Sequence, residues 1–284
     1  MSKTSIQDLN GVAETLIIPL YFRAVESQRP DALVKDEKAV ELVKQLDYDF
    51  SKLKRLSSEQ LTLLVRQKVF DQCVRAFLVE HPNGVVVDIG CGLNTRFYRV
   101  DNGLVEWYDL DLPQVIALRK RFLDETSRCH FIGCSVLDTS WMDIVGERTE
   151  RGFLFLAEGV LPYFEETDVR RLMLMLRERF PGAELVFDAM SPFFIKVHNL
   201  QLSFSKVEAR LRWGLEDSKG LEGWAPGIRL LSTWGYFDQP EPRLGWLRLL
   251  RLFPPMGAWI LRYRLGEKVA SYHSLEPTAP IGAD

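Results

Sequence analysis

The sequence predicts an α/β fold, a mostly parallel sheet with helices on both faces, and three observations lead there. From Val85 onward, short apolar runs rich in β-formers alternate with stretches of helical periodicity. The first of those runs drops into Gly90-Cys91-Gly92, a turn that brings backbone into the open at a strand end. The balance of 46% hydrophobic and 26% charged residues over 284 positions suffices for one large globular domain. Strands separated by helices must cross over, and such crossovers cover both faces of a parallel sheet.

Taken in order, residues 4–80 read as helical. In "SSEQLTLLVRQKVFDQCVRAFLVE", Leu61, Leu64, Val65, Val69, Cys73 and Phe77 recur at three- and four-residue steps. Ser57 or Ser58 suits the cap, and His81-Pro82-Asn83-Gly84 stops the helix. The strands that follow are "GVVVDIG" (84–90), "LVEWYDLDL" (104–112), "CHFIGCSVLD" (129–138), "RGFLFLAEGV" (151–160) and "AELVFDAMS" (183–191). Pro113 opens a helix after the second, where its missing N–H does no harm. "EETDVRRLMLMLRERF" is the helix after the fourth, ended by Pro181-Gly182. Residues 192–227 are too long for a bare connection and are expected to form an inserted helical segment. Two further strands are expected at 228–238 and 268–276, with an irregular, proline-bearing stretch at 239–266 between them. The tail "EPTAPIGAD" is expected to be loose.

Several function classes are disfavoured. With 36 basic and 39 acidic residues the net charge is −3, so no nucleic-acid partner is expected. No apolar run approaches the roughly 18 residues of a membrane span, so no membrane partner is expected either. The four cysteines, at 73, 91, 129 and 134, lack metal-type spacing, and the N-terminal residues lack a continuous apolar signal region. Both features fit a cytoplasmic chain with reduced thiols.

In an open α/β sheet, ligands bind beyond the carboxyl ends of the strands. Gly90 and Gly92 end the first strand, and Asp111 ends the second, 21 residues beyond Gly90. A carboxylate there accepts from both hydroxyls of a ribose, so the pair reads as an adenosine site. A nicotinamide dinucleotide wants a third glycine and a helix N-terminus for its pyrophosphate. Thr95 stands in that third position. S-adenosyl-L-methionine carries no phosphate, so the departure favours the methyl donor, with a nicotinamide-dependent oxidoreductase as the alternative.

"VVVDIGCGLNTRFYRV", "WYDLDLPQVIALRKRFL", "LAEGVLPYF" and the upstream "VRQKVFDQCVRAFL" together resemble the leucine carboxyl methyltransferase family, in its bacterial polyketide O-methyltransferase branch of the tetracenomycin type. The resemblance implies a class I methyltransferase (Rossmann-like) fold. That is a seven-stranded, mostly parallel sheet with an antiparallel last strand, helices on both faces and a helical cap. It implies S-adenosyl-L-methionine as cofactor and one domain over 1–284. Its parts would be a cap at 1–80, a cofactor-binding core at 84–191, an acceptor-site segment at 192–227 and C-terminal strands at 228–276. Carried over by motif, Arg66 would hold the methionine carboxylate, Gly90 and Gly92 the cofactor's flank, and Asp111 the ribose, with Asp109 as the fallback. Leu137 and Asp138 would meet the adenine, although Ser135 replaces a more usual acid in "CSVLD". Glu158 would lie near the sulfonium; inside an apolar run it needs a partner. Asp88 would orient Arg66 or bind the glycine-turn amides. Arg23, in "RAVESQRPDAL", resembles part of an N-terminal lid.

The expected reaction is methyl transfer to a carboxylate or hydroxyl of a small molecule. A protein C-terminal carboxylate is the alternative acceptor, and a binding module that has lost the chemistry is a third reading. A carboxylate, with a pKa of about 4, needs no base, whereas a phenol near 10 gains from one. His81, His130 and His273 read as structural; His198, after the fifth strand, is the one candidate base. No catalytic residue is assigned. Tyr21, Phe22, Phe193, Phe194, Trp213 and Trp224 are the candidates for an aromatic acceptor slot.

Overall fold

The computed structural model describes residues 4–5, 12–51, 53, 57–146, 151–202, 210–253 and 257–267. Three helices precede the sheet: α1 (Val12–Glu26), α2 (Glu37–Gln45) and α3 (Ser57–Glu80). Asp36 caps α2 by accepting the Ala39 N–H at 2.9 Å. α3 ends where the turn residues 81–84 begin, and its buried face runs through Leu64, Val65, Val69, Cys73 and Phe77.

The sheet strands are β1 (Val85–Ile89), β2 (Glu106–Asp111), β3 (Cys129–Gly133), β4 (Phe153–Ala157), β5 (Ala183–Met190), β6 (Ile228–Gly235) and β7 (Ala258–Leu265). Between them lie α4 (Arg96–Val100), α5 (Pro113–Arg119), α6 (Ser140–Gly146), α7 (Glu166–Arg179) and α8 (Pro192–Leu202). The order across the seven strands is β3-β2-β1-β4-β5-β7-β6. The first five strands run parallel, and β7 is antiparallel to both β5 and β6. The chain steps outward from β1 to β3, then returns to β4 on the other side of β1. That reversal is a topological switch point, the place at which open α/β sheets bind ligands.

Alternation along each strand sends side chains to two cores. Val86, Trp107, Phe131, Leu154 and Leu156 face the layer formed by α1 to α5. Val85, Val87, Leu110, Phe155 and Phe187 face α6, α7 and the segment around Trp213. Strands buried on both faces explain the nearly unbroken apolar runs of β1 and β4.

Two expectations need correction. A strand runs at Ala258–Leu265, inside the stretch read as irregular; the strand expected at 268–276 lies outside the described residues. Its arginines disguise it, because Arg262 and Arg264 point to Glu184 of β5, at 2.5 and 3.5 Å. Among its described residues, the 192–227 segment is helical only in α8 and in a 3₁₀ turn at Gly220–Trp224.

Candidate active site

The registers Ile89↔Leu110 and Ile89↔Ala157 bring the carboxyl ends of β1, β2 and β4 side by side. The turn after β1 is tied down there. The N–H groups of Gly90 and Cys91 both donate to the Leu110 carbonyl, at 2.7 and 3.2 Å. Gly90 has φ +67° and Gly92 φ +49°. A Cβ on Gly90 would stand 2.3 Å from Val160 Cγ2, and one on Gly92 2.7 Å from Leu16 Cδ2. Neither position accepts a side chain on conformation or on space. Asp111 closes the turn: its Oδ2 accepts the Gly92 N–H at 2.8 Å and its Oδ1 the Leu112 N–H at 2.7 Å. Burial raises the Asp111 carboxyl above its ordinary range, against those two amides. Each carboxylate oxygen retains a lone pair for another donor. Arg119 of α5 props the turn, donating through Nη1 to the carbonyls of Gly92 (3.0 Å) and Asn94 (2.7 Å).

Asp109, the fallback, is engaged elsewhere. It is buried between Trp107 Nε1 (2.8 Å) and Arg119 Nη2 (2.5 Å), with neither oxygen free. Thr95 is fully buried, and its Oγ1 donates to Asp36 Oδ2 at 2.5 Å, where a dinucleotide fingerprint would place bare backbone. The helix that follows, α4, has five residues. The turn therefore has a carboxylate locked to its backbone, but neither the third glycine nor the long helix that a pyrophosphate site uses.

Beside the turn lies a buried ion network. Arg66 of α3 donates from Nε to Glu158 Oε1 at 2.8 Å and from Nη1 to Asp188 Oδ2 at 3.0 Å. Glu158, just past β4, also accepts from Gln67 Nε2 at 2.6 Å and Arg96 Nη2 at 2.5 Å. Arg96 continues to Asp71 Oδ1 at 2.8 Å, and Arg99 bridges Asp71 (2.8 Å) and Asp36 (2.7 Å). Arg23 of α1 holds Asp36 at 2.9 Å and the Leu93 carbonyl at 3.0 Å. Asp188 of β5 accepts the Gly159 N–H at 2.6 Å and the Tyr236 hydroxyl at 3.1 Å. Glu158 is held below its ordinary range, with Arg66 and Arg96 outweighing its burial. Asp71, between two guanidiniums, falls to about 2 despite the same penalty.

Asp88 does neither job expected of it. Arg66 is already engaged by Glu158 and Asp188, and the turn amides by Leu110 and Asp111. Asp88 instead accepts from Asn94 Nδ2 at 3.0 Å and lies 3.5 Å from Arg96 Nη1. Burial, helped by Asp109 and Glu158, pushes its carboxyl up to about 7.

Arg66, Gly90, Gly92, Asp111 and Glu158 thus converge on one end of the sheet. Leu137 and Asp138 follow β3 differently. Leu137 packs half-buried against the α6–α7 core, while exposed Asp138 bonds the Ser140 N–H at 2.9 Å, at the start of α6. The six aromatics form no single slot. Tyr21 stacks on Phe50 at 4.9 Å and, with Phe194, belongs to the α1–α5 side; Trp213 and Trp224 pack on the opposite side. Phe22 is fully buried, and Phe193 is exposed beside Phe253. His198 stacks on Phe194 at 6.4 Å, His130 pairs with Glu106 at 2.7 Å, and His81 packs on Phe77. His273 lies outside the described residues. Sequence reasoning missed Arg96, Asp71, Asp188, Arg119 and Gly159. Asp188 alone carried a readable sign, being a carboxylate inside the apolar run "LVFDAM".

Comparison with known proteins settles the class. The family model for leucine carboxyl methyltransferase matches residues 17–176. The chain belongs to the leucine carboxyl methyltransferase family. It is 33% identical over 233 residues to the tetracenomycin polyketide synthesis O-methyltransferase TcmP of Streptomyces glaucescens, covering 82% of this chain and 86% of that one. It is 29% identical to the S-adenosyl-L-methionine-dependent methyltransferase dpfgK of Gibberella zeae, over 78% of this chain and 81% of that one. A solved DUF574 family protein from Streptomyces avermitilis shares the fold with a TM-score of 0.59 at 15% identity, over 88% of this chain and 96% of that one. As a family member the chain is an S-adenosylmethionine-dependent methyltransferase, and its strand order is that of the class I fold.

Proposed function

We propose that this protein transfers the methyl group of S-adenosylmethionine to an oxygen, carboxylate or hydroxyl, of a small molecule. The observation that carries the reading is the lock between Asp111 Oδ2 and the Gly92 N–H at 2.8 Å, which sets a carboxylate beside bare backbone at the joined ends of β1 and β2. In this reading Gly90 and Gly92 flank the donor, and Asp111 accepts from its ribose hydroxyls. Arg66 faces the donor's carboxylate with the hydrogens that Glu158 and Asp188 leave unused. Leu137 and Asp138 flank the adenine. Glu158 works by fixing Arg66 and Arg96 rather than by touching the reacting atoms.

The bound donor supplies an electrophilic methyl on sulfur, and the protein supplies alignment and dryness. The N-terminal helices, residues 1–80, serve as the cap: Leu16 lies against Gly92, and Arg23 ties α1 to Leu93. A carboxylate acceptor arrives ionised, so this route needs no side-chain base. The small-molecule reading over a protein C-terminus rests on the likeness to TcmP. Incubating the protein with methyl-labelled donor and a panel of aromatic acids and phenols tests the proposal. Label in an acid or phenol supports it; label only in a peptide carboxyl terminus contradicts it.

A further inference from the structure

The segment Pro242–Leu252 is a 3₁₀ stretch, broken once at Gly245, whose φ of +49° and ψ of −126° are not helical. Three residues per turn place i and i+3 on one line, and the sequence obeys that period. Leu244 is buried, and Leu247 and Leu250 pack on the core below. Trp246, Leu249 and Leu252 form the outer line and are 72%, 64% and 71% exposed. Arg248 and Arg251 form the third line, between the other two. Phe253 extends the apolar line and meets exposed Phe193 of α8, with ring centroids 6.1 Å apart. Scattered exposed apolar residues are ordinary, but a contiguous ridge of five large ones marks a contact surface.

The charges say what the ridge contacts. The chain carries 39 acidic residues, yet residues 242–253 and 192–202 contain none. Arg243 is neutralised by Glu26 and Glu241, at 2.8 and 2.9 Å. Arg248, half-buried with its Nε buried and without a hydrogen-bond partner, and exposed Arg251 make no ion pair among the described residues. Lys196 stands exposed on α8. A second copy of the chain docked face to face would set these arginines against their own images. An anionic surface would pair them. Tryptophan, leucine and phenylalanine flanked by arginine is also the composition of segments that lie in a lipid interface.

We propose that the Trp246–Leu249–Leu252–Phe253 ridge, with Arg248 and Arg251 beside it, docks the protein on an anionic lipid surface. The expectation of no membrane partner rested on the lack of a spanning run; no helix among the described residues is long and apolar enough to cross a membrane, and surface docking requires none. The proposal goes beyond the methyl-transfer reading and does not depend on it. The test is co-sedimentation of the full chain with vesicles of phosphatidylcholine alone or mixed with phosphatidylglycerol. Binding is expected to the mixed vesicles, to weaken with salt, and to shift the Trp246 fluorescence to the blue in a difference against W246F. A W246S/L249S/L252S variant should lose binding while keeping the wild-type melting temperature. An R248Q/R251Q variant should bind roughly 30-fold more weakly, the order expected for two basic side chains at an anionic surface. Failure to sediment with mixed vesicles overturns the proposal, as does equal retention on phosphatidylcholine alone. A wild-type dimer that the triple variant converts to monomer would assign the ridge to a second copy and overturn it too.

Discussion

Replacing Asp88 by asparagine should stabilise the protein, increasingly as pH rises. Asp88 is one of six buried carboxylates (Asp36, Asp71, Asp88, Asp109, Glu158, Asp188) set among five guanidiniums (Arg23, Arg66, Arg96, Arg99, Arg119), and its one ion contact among the described residues is Arg96 at 3.5 Å. It is the acid in excess. Burial is the leading reason its carboxyl rises to about 7, with Asp109 and Glu158 adding to it and Arg96 and Arg119 opposing. A carboxyl moved from about 4 in the unfolded chain to about 7 in the fold opposes folding by up to about 4 kcal/mol once it is ionised. The folded state holds the proton more tightly than the unfolded chain. Stability from this group is therefore intact below about pH 4, declines as pH rises from there to about 7, and stays at its lower level above. Asparagine has no such proton. Its amide oxygen can take the place of Oδ2, which faces both Asn94 Nδ2 and Arg96 Nη1. Urea unfolding of both proteins at several pH values is the assay. The advantage of Asp88→Asn should grow by about 3 kcal/mol between about pH 5 and about pH 8. A pH-independent difference, or one of opposite sign, would refute the reasoning.

Three further outcomes are expected. Asp111→Ala should weaken S-adenosylmethionine binding by about 1.5–3 kcal/mol in calorimetry, the scale of a hydrogen bond to a charged group; an unchanged affinity would remove Asp111 from the ribose. Glu158→Gln places an amide donor among Arg66 Nε, Gln67 Nε2 and Arg96 Nη2, and urea titration should show a loss of about 3–5 kcal/mol. Gly90→Ala forces a methyl onto Val160 at a φ of +67°, and should lower stability by about 1–3 kcal/mol and donor affinity with it, read from thermal melts and calorimetry.

What was legible in the sequence follows from what each residue has to do. The first five strands were readable because burial on both faces keeps them predominantly apolar, with few polar interruptions, as in Val85–Ile89 and Phe153–Ala157. β7 was not, because Arg262 and Arg264 interrupt its apolar pattern and find Glu184 only once β5 lies alongside. The glycine turn and Asp111 announce themselves through position, at strand tips. Arg96 and Asp71 do not. A charged residue on a helix reads as solvated until the fold buries it against a partner distant in sequence, and Arg96 meets Glu158 62 residues away. Asp88 shows the opposite error: it stood next to the glycines in sequence, but Asn94 and Arg96 took it.

The central claim is that the turn Gly90–Gly92 and the tip at Asp111 together seat the donor's adenosine. Diffraction from crystals soaked with S-adenosylhomocysteine tests it most directly. Density lying along the Gly90–Gly92 backbone, with both ribose hydroxyls on the Asp111 carboxylate, is the predicted result. Ordered ligand at any other place, with Asp111 still bound only to the amides of Gly92 and Leu112, would contradict it.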